Sequence, residues 1–278
     1  MLIARTRQQL DDAVAQLRVS AGGIAFVPTM GALHDGHLTL LTVAHREAPA
    51  VAASIFVNPA QFAPHEDFSR YPRDEAGDLD KLARVGCDLA WLPDVATMYP
   101  PGDVTMIVVE GPAHGWEGAA RPAHFRGVAT VVAKLFGQVR PDAAVFGEKD
   151  WQQLQVIRRM QVDLALPVRV VGAPVVREAD GLAMSSRNRF LTPAERLAAP
   201  CLYARLCEAR LAMTNGVAAA HALSAARQRL AGDGLITDYF ALVDGPSLIE
   251  IDALAVDARL IAAARLGSVR LLDNIAVV

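Results

Sequence analysis

Short apolar runs alternate with amphipathic stretches through the first two-thirds of the chain, and this alternation restricts the fold more than any other feature. Gly23-Ile-Ala-Phe-Val27 and Val51-Ala-Ala-Ser-Ile-Phe-Val57 read as buried strands, and Asp88–Leu92, Ala143–Phe146 and Val168–Val171 as further ones. Helical patterns lie between them at 36–47, 74–85, 126–138 and 151–164. Nearly continuous apolar strands alternating with helices predict a parallel α/β sheet covered on both faces. Ligands of such sheets bind outside the carboxyl ends of the strands, so the segments after Val27, Val57 and Phe146 are where a site is expected.

Beyond about residue 176 the texture changes. Alanine-rich helical stretches at 193–212 and 217–231 precede strand patterns at 236–243, 259–264 and 269–272. Helices followed by a run of strands predict a smaller C-terminal α+β domain. The expected division is 1–175 and 176–278, with 172–192 rich in turn formers.

Composition supports a folded chain and excludes little else. The 278 residues are 53% hydrophobic and 21% charged, which is too apolar for disorder. Net charge is −3, without the basic excess of a nucleic-acid coat, so no nucleic-acid partner is expected. Cys87, Cys201 and Cys207 are too few and too scattered for a disulfide framework or a zinc knuckle. The longest uncharged run, Ala48–Pro64, is broken by prolines and amides, so no membrane span is expected. These features, with no targeting segment at Met1–Leu10, predict a cytoplasmic protein.

The first strand leads into Pro28-Thr-Met-Gly-Ala-Leu-His-Asp-Gly-His37 and then a helix. A strand, a glycine turn and a helix N-terminus make a ready phosphate site, because backbone N–H groups there lack partners. His34 and His37 stand one turn apart at that entrance and could face one bound anion. A cationic histidine is unfavourable at a helix N-terminus unless an anion is present. The alternatives are a pair of exposed histidines or a zinc site, the latter without an evident third ligand. Asn58 and Gln61 follow the second strand, where amides could orient a hydroxyl or carboxylate. Gly147-Glu-Lys-Asp150 opens another helix, and Lys149 could meet a phosphate while Asp150 binds ribose, water or Mg²⁺; a solvated pair is the bland reading. Met184-Ser-Ser-Arg187 offers two hydroxyls and a guanidinium on a loop after Asp180-Gly181. Arg121, His124 and Arg126 form another basic group, in which Arg121 could reach substrate or pair with an acid.

These residues fall in a string of specific blocks: 28–37, Ser54–Phe62, Tyr71-Pro-Arg73, Arg121–Gly127, Phe146–Gln153 and Met184–Asn188. In this order, over almost the whole chain, they resemble the pantoate–β-alanine ligase family within the His-x-Gly-His nucleotidylyltransferases. The resemblance implies a Rossmann-like catalytic domain and a C-terminal lid domain. It implies ATP-dependent joining of pantoate to β-alanine by way of pantoyl adenylate, releasing pyrophosphate and then AMP. ATP would be held by Met30, Gly31, Ala32, Leu33, His34, Asp35, Gly36 and His37, by Gly147, Glu148, Lys149 and Asp150, and by Val176, Met184, Ser185, Ser186 and Arg187. Within that set His34, His37, Lys149 and Arg187 are the expected catalytic residues. Gln61 and Gln153, with Asn58, Arg121 and Tyr71, would line the pantoate and β-alanine sites. Mg²⁺ is expected on the ATP phosphates, with Asp150 a further contact, and no metal site made by the protein alone. A homodimer is also implied, and an apolar strand such as Val51–Val57 near an interface would suit one.

Two other enzymes share parts of this pattern. A nucleotidylyltransferase acting on a phosphorylated alcohol shares the histidines and the serine loop but leaves Asn58, Gln61 and Gln153 without a role. An aminoacyl-tRNA synthetase-like protein would need an RNA surface that the charge does not suggest. A regulatory module that binds ATP without turnover is the reading from another class. No Gly-x-Ser-x-Gly appears, so catalysis is expected to rest on positioning and charge rather than on a protein nucleophile.

Overall fold

A computed structural model describes residues 1–63 and 66–277; Pro64, with which the uncharged run ends, His65 and Val278 lie outside the described residues. The chain divides into two compact units, Met1–Glu148 with Gln152–Pro174 and Lys149–Trp151 with Val175–Val278.

The larger unit is built on six strands: β1 (Leu2–Ala4), β2 (Ile24–Thr29), β3 (Ala50–Ile55), β4 (Leu89–Trp91), β5 (Ala143–Gly147) and β6 (Arg169–Ala173). Every pairing is parallel, in the order β1-β4-β3-β2-β5-β6. Alternate residues serve opposite faces. Ala25, Val27, Val51, Ala53, Ala143 and Val145 pack with Leu40, Leu41, Ala44 and Leu82. Their neighbours Ile24, Phe26, Ala52, Trp91 and Ala144 are equally buried. Trp91 Nε1 donates to Gln138 Oε1 of the helix His124–Val139 at 3.1 Å, so the covering helix satisfies the indole as well as hiding it. Each such large side chain contributes about 2–3 kcal/mol on burial. The predicted α/β sheet flanked by helices is therefore found.

The periodicity did not disclose β1 or the helix Arg7–Ala21, although Thr6 and Gln9 form a capping box at its start. The apolar run at 51–57, which would suit a subunit interface, has a simpler cause. β3 lies between β4 and β2 with Ala50–Ala53 fully buried, so the interior of the sheet accounts for its character.

β2 is the point from which the strand order departs both ways, to β3 and β4 on one side and β5 and β6 on the other. Ligand crevices of open α/β sheets form at such a switch point. The carboxyl ends of β2, β3 and β5 hold the segments singled out from sequence.

The smaller unit has an antiparallel sheet, β7 (Ile236–Asp244), β8 (Ala258–Leu266) and β9 (Val269–Ala276), in the order β7-β8-β9. Leu202, Leu206, Leu223 and Leu230 of the helices Cys201–Thr214 and Ala219–Gly232 pack into one core with Phe240, Leu260 and Leu271. The single helical stretch expected at 193–212 is two helices, Pro193–Ala198 and Cys201–Thr214. Pro200 separates them, because it has no N–H to continue the first helix.

Candidate active site

At the end of β2 the chain turns through Gly31 and Ala32, both with left-handed backbone (φ 80° and 51°), before His34 caps the helix Asp35–Glu47. Glycine suits the first position on two grounds. The dihedral disfavours other residues, and a Cβ there would lie 2.9 Å from Asp78 Oδ2 and 3.1 Å from Ile55 Cγ2. Asp78 is almost fully buried and accepts the N–H groups of Ala32 and Leu33, each at 2.7 Å. Lys81 Nζ donates to Leu33 O at 2.8 Å, and Thr29 Oγ1 donates to Ser54 O at 2.7 Å while accepting the Gly31 N–H at 3.2 Å. The turn is thus pinned through its backbone by side chains from the strand and helix behind it.

This arrangement refines the phosphate-loop expectation. The Ala32 and Leu33 amides are committed to Asp78, so the amides that could meet an anion are those of the first helical turn, at Asp35 and Gly36. Two imidazoles stand beside them, with ring centroids 4.1 Å apart. His37 Nδ1 accepts the His34 N–H at 3.3 Å. That bond fixes the tautomer, because a ring nitrogen that accepts leaves the proton of the neutral ring on Nε2. His37 therefore carries its donor on the far edge of the ring.

The end of β3 forms a different kind of corner. Asn58 caps the short turn Pro59–Gln61, its Oδ1 accepting the Ala60 N–H at 3.2 Å and the Tyr99 hydroxyl at 2.8 Å. Its Nδ2 donates to Gln61 Oε1 and to Gly127 O, both at 3.1 Å. With four bonds made, the Asn58 amide acts on Gln61, which turns its own Nε2 toward Met30 Sδ at 3.1 Å. That contact joins the β3 corner to the histidine turn. Gly127 is required for the close approach, since a Cβ there would meet Ala60 O at 2.2 Å. Burial, with Asp103 nearby, pushes the Tyr99 phenol up to about 12, so it stays a donor throughout the working range.

Arg121 grips Glu66 with two charge-assisted bonds of 2.7 Å, the acid-paired alternative left open by the sequence. Burial raises the Glu66 carboxyl, but the Arg121 bonds and charge outweigh it and hold the group below its usual range. Arg121 also reaches Gln61 O at 3.3 Å and His124 Nε2 at 3.2 Å. His124 Nδ1 donates to Gln61 O at 3.0 Å, and its Nε2 can only accept from the Arg121 guanidinium, so the ring is neutral with its proton on Nδ1. Burial first, and the Arg121 charge second, bring His124 down to about 4. Tyr71 is buried beside Phe62, ring centroids 6.1 Å apart.

The two glutamines after β5 have separate roles. Gln152 is buried and ties down the 112–117 loop, donating to Pro112 O and His114 O at 3.0 Å and accepting the Glu117 N–H at 2.9 Å. Gln153 is half-buried and makes no side-chain hydrogen bond among the described residues. Gly147 and Glu148 end the β5 side of this unit.

Lys149, Asp150, Val176 and Met184–Arg187 belong to the smaller unit. Lys149 Nζ lies 3.7 Å from Asp150 Oδ1. Arg177 bridges to Ala183, and the Met184 N–H donates to Val176 O at 3.0 Å, so a short hairpin delivers the serine loop. Ser185 caps the turn Ser186–Phe190, accepting the Arg187 N–H at 3.3 Å. Asn188 Nδ2 donates to Glu178 Oε1 and Ala183 O, both at 3.1 Å. The segment is braced far more than its loop composition suggests.

Asp78 and Tyr99 were missed from sequence, and Gly127 stood in the 121–127 block without a role. An aspartate four residues before Leu82, both on the buried stripe of the helix Glu75–Arg84, was the one legible signal.

Comparison with known proteins shows which family the chain resembles. A family model described as Pantoate-beta-alanine ligase matches residues 2–276. A pantothenate synthetase of Granulibacter bethesdensis is 61% identical over 277 residues, covering 99% of this chain and 96% of the relative. The crystal structure of pantothenate synthetase from Thermus thermophilus superposes with a TM-score of 0.92 at 49% identity, covering 100% of this chain and 99% of that one. A pantoate–β-alanine ligase from Francisella tularensis, complexed with β-γ ATP and β-alanine, gives a TM-score of 0.85 at 32% identity, covering 100% and 98%.

Proposed function

The chain belongs to the pantoate–β-alanine ligase family, and on that premise we propose that it condenses (R)-pantoate with β-alanine through an enzyme-bound pantoyl adenylate. A pantoate carboxylate oxygen attacks the α-phosphorus of ATP, the bond to the bridging oxygen breaks, and pyrophosphate leaves. The β-alanine amine then attacks the acyl carbon, forming the amide of pantothenate and releasing AMP. The observation that carries this reading is the histidine pair, 4.1 Å apart at a helix N-terminus on the carboxyl end of the central strand.

Charge on phosphate oxygens is met by the Asp35 and Gly36 amides, the helix dipole and the Nε2–H of His37, with His34 beside it. Met30, Gly31, Ala32 and Leu33 shape the wall of the same ATP site, and Gly147, Glu148 and Asp150 its second segment. Lys149 and Arg187 supply fixed cations, while Val176, Met184, Ser185 and Ser186 complete the nucleotide contacts. Gln61 and Gln153 hold pantoate by their amides, and Gln61 also meets β-alanine. Asn58 orients Gln61, and Arg121 supports its carbonyl; Tyr71 walls the acyl site. Residues 1–175 thus carry pantoate and most of the ATP contacts, and 176–278 the serine loop.

Among the described residues no group of three or more His, Cys, Asp or Glu side chains is arranged to hold a metal ion. Mg²⁺ would come with ATP and offset phosphate charge, and the Asp150 carboxylate would be its further contact on the protein. Among the described residues no helix is long and apolar enough to cross a membrane. The family resemblance and the thiol content support a cytoplasmic homodimer.

The test is AMP formation from ATP, Mg²⁺, pantoate and β-alanine, omitting each in turn. Pantoate-dependent ATP–pyrophosphate exchange without β-alanine is the expected mark of the adenylate. No AMP from the complete mixture would overturn the reading.

A further inference from the structure

β9 carries two adjacent buried polar side chains, Asp273 and Asn274, exposed to only 2% and 3%. Burying such groups is costly unless each is hydrogen-bonded, and the bonds they make lead to both ATP-facing segments of the smaller unit. Asp273 accepts Arg177 Nη1 and Nη2 at 2.6 and 2.9 Å. The same guanidinium donates to Gly181 O at 3.1 Å and lies 3.6 Å over the Tyr203 ring. Arg177 is therefore clamped at the base of the hairpin that delivers Met184–Arg187.

Asn274 serves the other segment. Its Nδ2 donates to Lys149 O at 2.9 Å, and its backbone N–H is held by Asp273 Oδ1 at 2.7 Å. Its Oδ1 accepts from Arg259 Nη1 of β8, which fixes which way the amide faces. Arg259 in turn lies 3.4 Å over the Trp151 ring, and Trp151 Nε1 donates to Gly245 O at 2.7 Å. Lys149 is thus held at its own carbonyl and again two residues later. The partners are remote in sequence, 125 residues on for Lys149 and 94 for Trp151. A lysine on an untethered turn would spread its ammonium over several positions, losing side-chain entropy each time it met a phosphate.

We propose that Asn274 is a positioning residue for Lys149, and that the Asp273–Asn274 pair makes β9 the common anchor of the lysine and of the Met184–Arg187 loop. The proposal rests on the reading of Lys149 as an ATP contact, and its test separates the two. Asn274→Asp keeps the acceptor for Arg259 and replaces the donor to Lys149 O with a second acceptor. Pantoate-dependent ATP–pyrophosphate exchange is measured for the parent chain, Asn274→Asp, Lys149→Ala and the double variant, with melting temperature recorded for each. Asn274→Asp is expected to lower exchange about tenfold in the parent, with the loss in kcat and in KM for ATP while KM for pantoate holds. In the Lys149→Ala background the same change should cost less than about twofold, because interacting sites are not additive. An equal loss in both backgrounds, or no loss in the parent, overturns the positioning role while leaving the reading of Lys149 intact. Normal exchange by Lys149→Ala overturns both. If Asn274→Asp does not fold, Trp151→Phe, which removes the bond to Gly245 O from the same brace, takes its place in the cycle with the same outcomes.

Discussion

The histidine turn and the amide corner lie at the ends of neighbouring strands, yet they are held in opposite ways. His34 and His37 sit on a backbone that one buried carboxylate, Asp78, grips at Ala32 and Leu33. Gln61 sits in a mesh of side chains, in which Asn58, Arg121 and His124 bond the glutamine while Tyr99 and Glu66 bond Asn58 and Arg121 in turn. The Asp78 brace acts through the backbone, so it fixes the loop without drawing on the rings, which the proposed function sets against changing phosphate charge. The amide corner instead spends its side chains on one another and gains a fixed pattern of donors and acceptors, which suits the hydroxy-acid site proposed there. Damage should therefore be concentrated at the turn and distributed at the corner.

The largest effect is expected from His37→Ala, which should lower ATP–pyrophosphate exchange about 10²–10³-fold with melting unchanged. Near-normal exchange would remove the histidine turn from the chemistry. Asp78→Asn follows. One of the two amides it serves loses its acceptor, so stability should fall by about 1–3 kcal/mol. Exchange should slow while KM for pantoate stays put, and a selective rise in that KM would show that the two regions are not separate. Gln61→Ala should do the reverse, raising KM for pantoate or β-alanine more than it lowers exchange; unchanged constants for both substrates would break the comparison from the other side.

How much of this was legible follows from where the partners lie in the chain. The strand–turn–helix at 24–47 is local, and its apolar run, glycine and cap stand together in sequence. Gln61 and Asn58 were legible as amides at a strand end, but not their division of labour, which depends on Tyr99 and Gly127, 41 and 69 residues beyond Asn58. Asp78 was hidden for the same reason: its place on the buried stripe of its helix marks an unusual acid, but not the amides 45 and 46 residues earlier that it serves. Arg121 shows the limit most plainly. Its chemistry admits a substrate carboxylate or a protein one, and only the fold brings Glu66 within 2.7 Å.

Tyr99→Phe probes the mesh one bond from its centre. Asn58 Oδ1 keeps the Ala60 N–H, so the loss should be partial, about three- to tenfold in KM for pantoate or β-alanine. An unchanged constant would mean that the turn alone holds Asn58.

The smallest expected effect is also the one that isolates the mesh by pH. His124 is brought down to about 4 in the folded chain, against about 6.5 for an unperturbed histidine. Between those values the unfolded chain binds the extra proton, so stability is full above the unfolded value and falls as pH drops toward the folded one. The slope should be about 1 kcal/mol per pH unit, less than the limit for one proton because the ring edge is not fully shielded. Glu66, held low by Arg121, acts in the same direction but over a lower window, beginning at the ordinary carboxylate value and running down from it. The two contributions are therefore separable. His124→Asn should flatten the stability curve between about pH 6.5 and 5 and leave the steeper acid limb in place. If the upper slope survives the substitution, the proton is taken up elsewhere, and Gln61 is held by the arginine and the asparagine without help from the imidazole.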